Sequence, residues 1–311
     1  DEFSDPDIIR VGEDYYLAGT TMHSVPGLVV LHSKDLVNWE FSSYCFDRFD
    51  DSDDFNLRNG KEAYGQGIWA PAIRYHNGKF YIFSNINGHG LQVYISDSAK
   101  GPWTHHKVNG DIYDLSVLFD EDGKIYAVHK YGNVTVTELK PDLSGPVEGS
   151  SKVVIPEGNA MGEGHHVYKI NGMYYILSAD YSPMGRMQCA RSKSIWGPYE
   201  TCVISERESY GYAAGWSVGN MGIGRPLPED GFKFQNNQPN GLNLGCATIH
   251  QGGIVQAPDG KWWGVSMQDF NAVGRTVCLS PITWVDGWPY FGLEKNLGRS
   301  PRTWFKPNDA V

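Results

Sequence analysis

The chain has 311 residues, 41% of them apolar, 20% charged and 13% aromatic, and its formal net charge is −10. This is a globular composition with ample material for a packed core. An acidic chain without a basic cluster excludes nucleic acid as a partner, and the lack of any apolar run of about 18 residues excludes a membrane-spanning helix.

The sequence starts directly at Asp1. A processed secreted protein fits this start, and so does a cytosolic one. A secreted or extracellular location is expected, with the cytoplasm as the alternative. The first strand-like segment, IIRVGEDYYLAGTT with VLHSKDLVNWE (8–40), turns at Gly12-Glu13-Asp14 and is preceded by FSDPD, which places Asp5 before Pro6. Between its parts, TTMHSVPGL (20–28) sets Met22 and His23 at a strand edge. The theme returns as AIRYHNGKFYIFSNI with VYISDSAKGPWT (72–104), turning at Asn77-Gly78 and preceded by IWAP with Trp69. A third copy, SVLFDEDGKIYAVH with VTVTELKPDLSGP (116–146), turns at Asp122-Gly123, and Asp114 stands two residues ahead of it. Asn133-Val134-Thr135 inside it is a glycosylation sequon, meaningful only in a secreted eukaryotic protein.

The fourth copy, HVYKINGMYYILSAD with CARSKSIWGPYE (166–200), turns at Asn171-Gly172 and follows MGEGH, which carries Glu163. The fifth, GGIVQAPDGKWWGVSMQ with VCLSPITWVDGWP (252–289), turns at Asp259-Gly260 and follows ATIHQ, which carries His250. The segment 291–311 shows no strand alternation. Five cysteines, at 45, 189, 202, 246 and 278, form no CxxC pair. Cys189 and Cys202 lie where neighbouring strands could bridge them; the alternative is that all five are small buried residues.

Five copies of a hairpin followed by a third strand, with little 3.6-residue periodicity, predict an all-β chain folded as a five-bladed β-propeller over residues 1–290. A β-sandwich is the alternative, but it does not call for one theme five times. Four of the five turns place Gly where a two-residue hairpin needs positive φ.

In a propeller, the first strand of each blade lines the axis. Asp5, Asp114, Glu163 and His250 each stand at the entry to such a strand, so equivalent positions would bring them together. Singly, each has an ordinary reading: Asp-Pro turn, strand cap, loop glutamate between glycines, and core histidine. Three acids at matching positions are harder to dismiss, because clustered buried carboxylates are costly. Two carboxyls flanking a sugar can cleave a glycosidic bond, one giving a proton and the other activating water or attacking. A third acid beside the donor would raise its pKa.

The stretches DPDIIRVGEDYYL, HSKDLVNW, GIWAPAIRYHNGKFYIF, YDLSVLFDEDGKIY, EGHHVYKINGMYYIL, HQGGIVQAPDGKWW and GRTVCLSPITWVDGWP resemble, in order, glycoside hydrolase family 43. The resemblance implies a five-bladed enzyme acting on arabinose- and xylose-containing polysaccharides with inversion. It implies Asp5 as general base, Glu163 as general acid, and Asp114 as the acid that tunes the donor and orients substrate. Arg275 resembles the arginine that reaches the sugar or the tuning aspartate, with a surface salt bridge as its alternative. Trp69 would stack on the sugar or wedge the blade. Met22 and His23 would border the pocket or form a plain blade edge.

His250 resembles a channel histidine that touches a metal, often calcium, directly or through water. The chemistry itself requires no cofactor, and calcium in the channel would be structural. The sequence departs from the family at EGHH, where His165 replaces a proline; a structural or subsite role is expected for His165 and His166. Segment 291–311 would lead toward a β-sandwich domain or a separate chain. The expected activity is exo-removal of α-L-arabinofuranosyl groups from arabinoxylan or xylo-oligosaccharides. β-Xylosidase or a dual activity is the nearest alternative, and a non-catalytic carbohydrate-binding propeller is the alternative of another class.

Overall fold

The structure, a computed structural model, describes residues 3–49, 52–159, 161–181, 184–205, 246–269 and 275–298. Blade 1 consists of β1 (Ser4–Val11), β2 (Asp14–Thr20), β3 (Gly27–Ser33) and β4 (Trp39–Phe46). Blade 2 holds β5 (Ile68–His76), β6 (Lys79–Ile86), β7 (Gly90–Ser96) and β8 (Thr104–Lys107). Blade 3 holds β9 (Ser116–Phe119), β10 (Ile125–His129), β11 (Val134–Leu139) and β12 (Lys152–Ile155). Blade 4 holds β13 (Glu163–Ile170), β14 (Met173–Tyr181), β15 (Met184–Ser192) and β16 (Glu200–Ser205). Blade 5 holds β17 (Cys246–Gln256), β18 (Trp262–Asp269), β19 (Arg275–Val285) and β20 (Trp288–Phe291).

Each blade is one antiparallel sheet with its strands in chain order. The first strands neighbour one another as a closed ring, β1 to β5, β9, β13, β17 and back to β1. The chain is a five-bladed β-propeller. Five apolar clusters lie between successive blades. The one between blades 5 and 1, built on Ile8, Tyr15, Leu17, Val255, Trp263 and Val265, closes the ring by packing, since each blade keeps its own four strands. Among the described residues, no helix is long and apolar enough to cross a membrane.

The turns divide into two kinds. Gly12-Glu13, Asn77-Gly78 and Asn171-Gly172 are two-residue hairpins, flanked by paired Val11–Asp14, His76–Lys79 and Ile170–Met173. Both residues of each Asn-Gly pair have positive φ, as a type I′ turn requires. The two Asp-Gly turns are longer than expected. Asp120 N–H donates to the Lys124 carbonyl and Ala257 N–H to that of Lys261, which closes three-residue loops with Gly123 and Gly260 in the left-handed position. Asp122 and Asp259 accept the N–H of Lys124 and Lys261, and this side-chain bond favours the longer loop.

Candidate active site

All five blades contribute to one cavity of about 240 Å³ over the axis. Its lining includes Asp5, Asp114, Glu163, Trp69, Met22 and Arg275. Ala70, Asn85, Tyr113, Gln251 and Met267 complete it, and the sequence had not singled these out.

A repeated backbone device builds the floor. One residue at each strand entry is left-handed: Asp5 (φ 47°), Ala70 (32°), Asp114 (51°), Gly164 (65°) and Gln251 (42°). In blades 1, 2, 4 and 5 the ladder shifts register at this point. Such bulges re-aim side chains, and non-glycine residues persist in this region only where their surroundings enforce it. Here the enforcement is hydrogen bonding. Ala70 N–H donates to Thr20 Oγ1 at 2.8 Å, Asp114 N–H to Asn85 Oδ1 at 3.0 Å, and Gly164 N–H to Asp114 Oδ2 at 2.7 Å.

Alignment of the bulges corrects one expectation. Asp5 and Asp114 are equivalent, but their counterpart in blade 4 is Gly164. Glu163 precedes it and aligns with Ser4 and Trp69. The other blades hold this left-handed position with non-glycine residues, but at 164 a Cβ would lie 2.4 Å from the Gln251 side chain, which favours glycine. Glu163 nevertheless lines the same cavity as the two aspartates.

Asp5 and Asp114 are 8% and 7% exposed. Ser4 Oγ donates to Asp5 Oδ2 at 2.9 Å, and Arg275 Nη1 lies 3.5 Å from Asp5 Oδ1. Arg275 thus pairs with the expected base, not with Asp114. Burial pushes the Glu163 carboxyl up to about 7, with the charge of Asp5 adding to the rise; Arg275 and the Tyr113 hydroxyl oppose it. Asp114 rises to about 8, first through burial and then through the charge of Glu163, against the Gly164 N–H. Burial and neighbouring charge thus hold both carboxyls well above the usual carboxylate range. The charge that lifts Glu163 is that of Asp5, where the sequence had pointed to Asp114.

Two residues further along each inner strand, a second tier fills the axis. Asp7, only 1% exposed, receives Arg74 Nη1 on Oδ2 at 2.5 Å and faces His166 Nδ1 through Oδ1 at 3.1 Å. It also accepts the backbone N–H groups of Ile73 and Ile8. Arg74 Nη2 reaches Ser116 Oγ, which accepts the Val167 N–H. Tyr168 Oη accepts the Ile254 N–H, and a Cβ on Gly253 would meet that oxygen at 2.4 Å. Burial disfavours the Asp7 carboxylate, yet Arg74 and then His166 more than offset this and hold its pKa below the usual value.

These contacts bear on the expected calcium. Asp7 and Ser116 of this tier are engaged by the Arg74 guanidinium, and among the described residues no group of three His, Cys, Asp or Glu could hold a metal. The His250 side chain lies outside the described residues.

His23 misses the cavity lining. Its ring meets Tyr64 at 4.8 Å, and its Nδ1 accepts the Gly65 N–H at 3.3 Å. His165 is structural: Nδ1 meets Ser178 Oγ and Nε2 the Lys130 carbonyl, both at 2.5 Å. Burial lowers its pKa to about 4 and keeps it neutral.

The family model for glycosyl hydrolases family 43 matches residues 2–211. The chain belongs to this family. It is 33% identical to a non-reducing end alpha-L-arabinofuranosidase of Bacteroides ovatus over 98% of this chain and 54% of that protein. It is 29% identical to a beta-xylosidase of Formosa agariphila over 99% of this chain and 53% of that protein. Among solved structures, the bifunctional GH43-CE protein of Bacteroides eggerthii superposes with a TM-score of 0.80 and 33% identity, covering 99% of this chain and 36% of that one. This family 43 chain spans about half the length of the curated relatives it matches.

Proposed function

We propose that the chain is an inverting, exo-acting glycoside hydrolase that removes α-L-arabinofuranosyl groups from arabinoxylan or xylo-oligosaccharides. The observation that carries this reading is the set of three carboxyls in one small cavity, two of them holding protons near neutrality beside a third paired with Arg275. A sugar-binding protein without catalysis has no use for a poised proton donor. A cavity of about 240 Å³ lies below the usual range for drug-sized ligands and suits a single sugar ring, hence removal of terminal groups.

In this reading, Glu163 donates its proton to the glycosidic oxygen as the bond to the anomeric carbon breaks. Asp5, held by Ser4 and facing Arg275, removes a proton from the water that attacks the opposite face. Asp114 is fixed by Gly164 and Asn85, and its protonated carboxyl orients a sugar hydroxyl. Trp69 and Met22 wall the ring. β-Xylosidase activity is the second reading, favoured by relatives that carry that name.

The first test is turnover of an aryl α-L-arabinofuranoside and an aryl β-D-xyloside, each compared with Asp5→Asn. The arabinofuranoside is expected to react with the larger kcat/KM. Equal inactivity of wild type and Asp5→Asn on both substrates, and on arabinoxylan, would contradict hydrolysis.

The pH profile tests the proton assignment. Activity needs Glu163 protonated, so kcat/KM falls as pH rises through about 7. Asp114→Asn is expected to lower the rate but leave this alkaline limb in place, because burial and Asp5 hold the proton. A shift of the limb to lower pH by about one unit would assign the lift to an Asp114 charge instead.

A further inference from the structure

The cysteines play no part in that chemistry, but two of them are placed to react with each other. Cys189 on β15 and Cys202 on β16 are direct partners across the antiparallel ladder. Both thiols enter the cluster between blades 4 and 5, so they share one face of the sheet. Directly opposed antiparallel residues have Cα atoms about 4.5–5.5 Å apart, which lies within the disulfide range. Both are thiols here. Cys202 Sγ instead contacts Tyr290 Oη of β20 at 3.2 Å, a contact between outer strands of adjacent blades.

We infer that Cys189 and Cys202 form a redox-active pair that a small-molecule disulfide, such as oxidised glutathione, converts to a cross-strand bridge. The partly exposed Cys202 reacts first: its thiolate attacks one glutathione sulfur and releases the other as a thiolate. Cys189 then attacks the Cys202 sulfur and releases the second glutathione. Two protein thiols lose two protons and two electrons, and one oxidised glutathione becomes two reduced ones. The Cys189 thiol is fully buried, and its pKa is raised well above normal by burial and by Cys202. The second step is therefore slow at neutral pH and faster when the pH rises or the outermost strand β16 opens. The bridge gives up the Tyr290 contact and fastens β16 to the body of blade 4.

The test is incubation of the protein at pH 8 with oxidised glutathione, with and without mild urea, followed by digestion without reduction and mass spectrometry. The expected product is a linked peptide pair containing Cys189 and Cys202, 2 Da (about two hydrogens) lighter than the separate peptides. The link is lost in Cys202→Ser and in Cys189→Ala. The oxidised wild type is expected to melt roughly 5 °C higher than the reduced form, a rise absent from Cys202→Ser. Cys202 arrested as a glutathione adduct, or both thiols still reduced after the urea incubation, would overturn the inference.

Discussion

Glu163→Ala is expected to lower turnover of arabinoxylan by about 10²–10⁴-fold. On an aryl glycoside whose phenol is already acidic, the loss is expected to be smaller by at least about tenfold, because such a leaving group departs with little protonation. Asp5→Ala is expected to cost about 10³-fold on both, since water must be activated whichever group leaves. The contrast separates the two roles more sharply than either rate alone. It follows from the site: Glu163 holds its proton to about 7, whereas Asp5 faces Arg275 and Ser4 and is arranged to accept one. Equal losses for Glu163→Ala on the two substrates would contradict its assignment as proton donor.

Arg74→Met is expected to destabilise the propeller by about 3–5 kcal/mol, because it leaves the Asp7 carboxylate buried without its main partner. For a chain of this size that is a fall in Tm of roughly 5–8 °C, measurable by thermal denaturation. The double variant Asp7→Asn with Arg74→Met is expected to recover much of the loss, since the stranded charge is gone while the neighbouring donors keep an acceptor. A full additive loss in the double variant would show that Arg74 acts through its own packing and not through Asp7.

The sequence made the blades legible because their turns obey strict local chemistry: Asn77-Gly78 and Asn171-Gly172 can do little but reverse the chain. It made the acids legible because a carboxyl at the entry to a buried strand is costly without a task. The one-residue offset of Glu163 was hidden, since a bulge leaves little trace in sequence; Gly164 was its only sign. Asn85, Tyr113, Gln251 and Met267 carry no charge and so gave no signal, although Tyr113 and Gln251 directly adjoin residues that did. The axial tier was invisible for another reason. Asp7 in DPD and Arg74 in AIRYH each look like surface residues, and only the docking of blade 2 on blade 1 brings them to 2.5 Å. Closure of the ring between blades 5 and 1 turned Arg275 toward Asp5, while local packing drew His23 away to Tyr64.

The anomeric form of the first product tests the central claim most directly. Proton NMR in the first minutes of hydrolysis, before mutarotation, reads it from the anomeric signal. An α-L-arabinofuranoside is expected to give β-arabinose first, and a β-D-xyloside, if accepted, α-xylose first, because Asp5 directs water to the face opposite the leaving group. Initial release of the anomer with retained configuration would mean that Asp5 attacks the sugar itself, and would contradict the account.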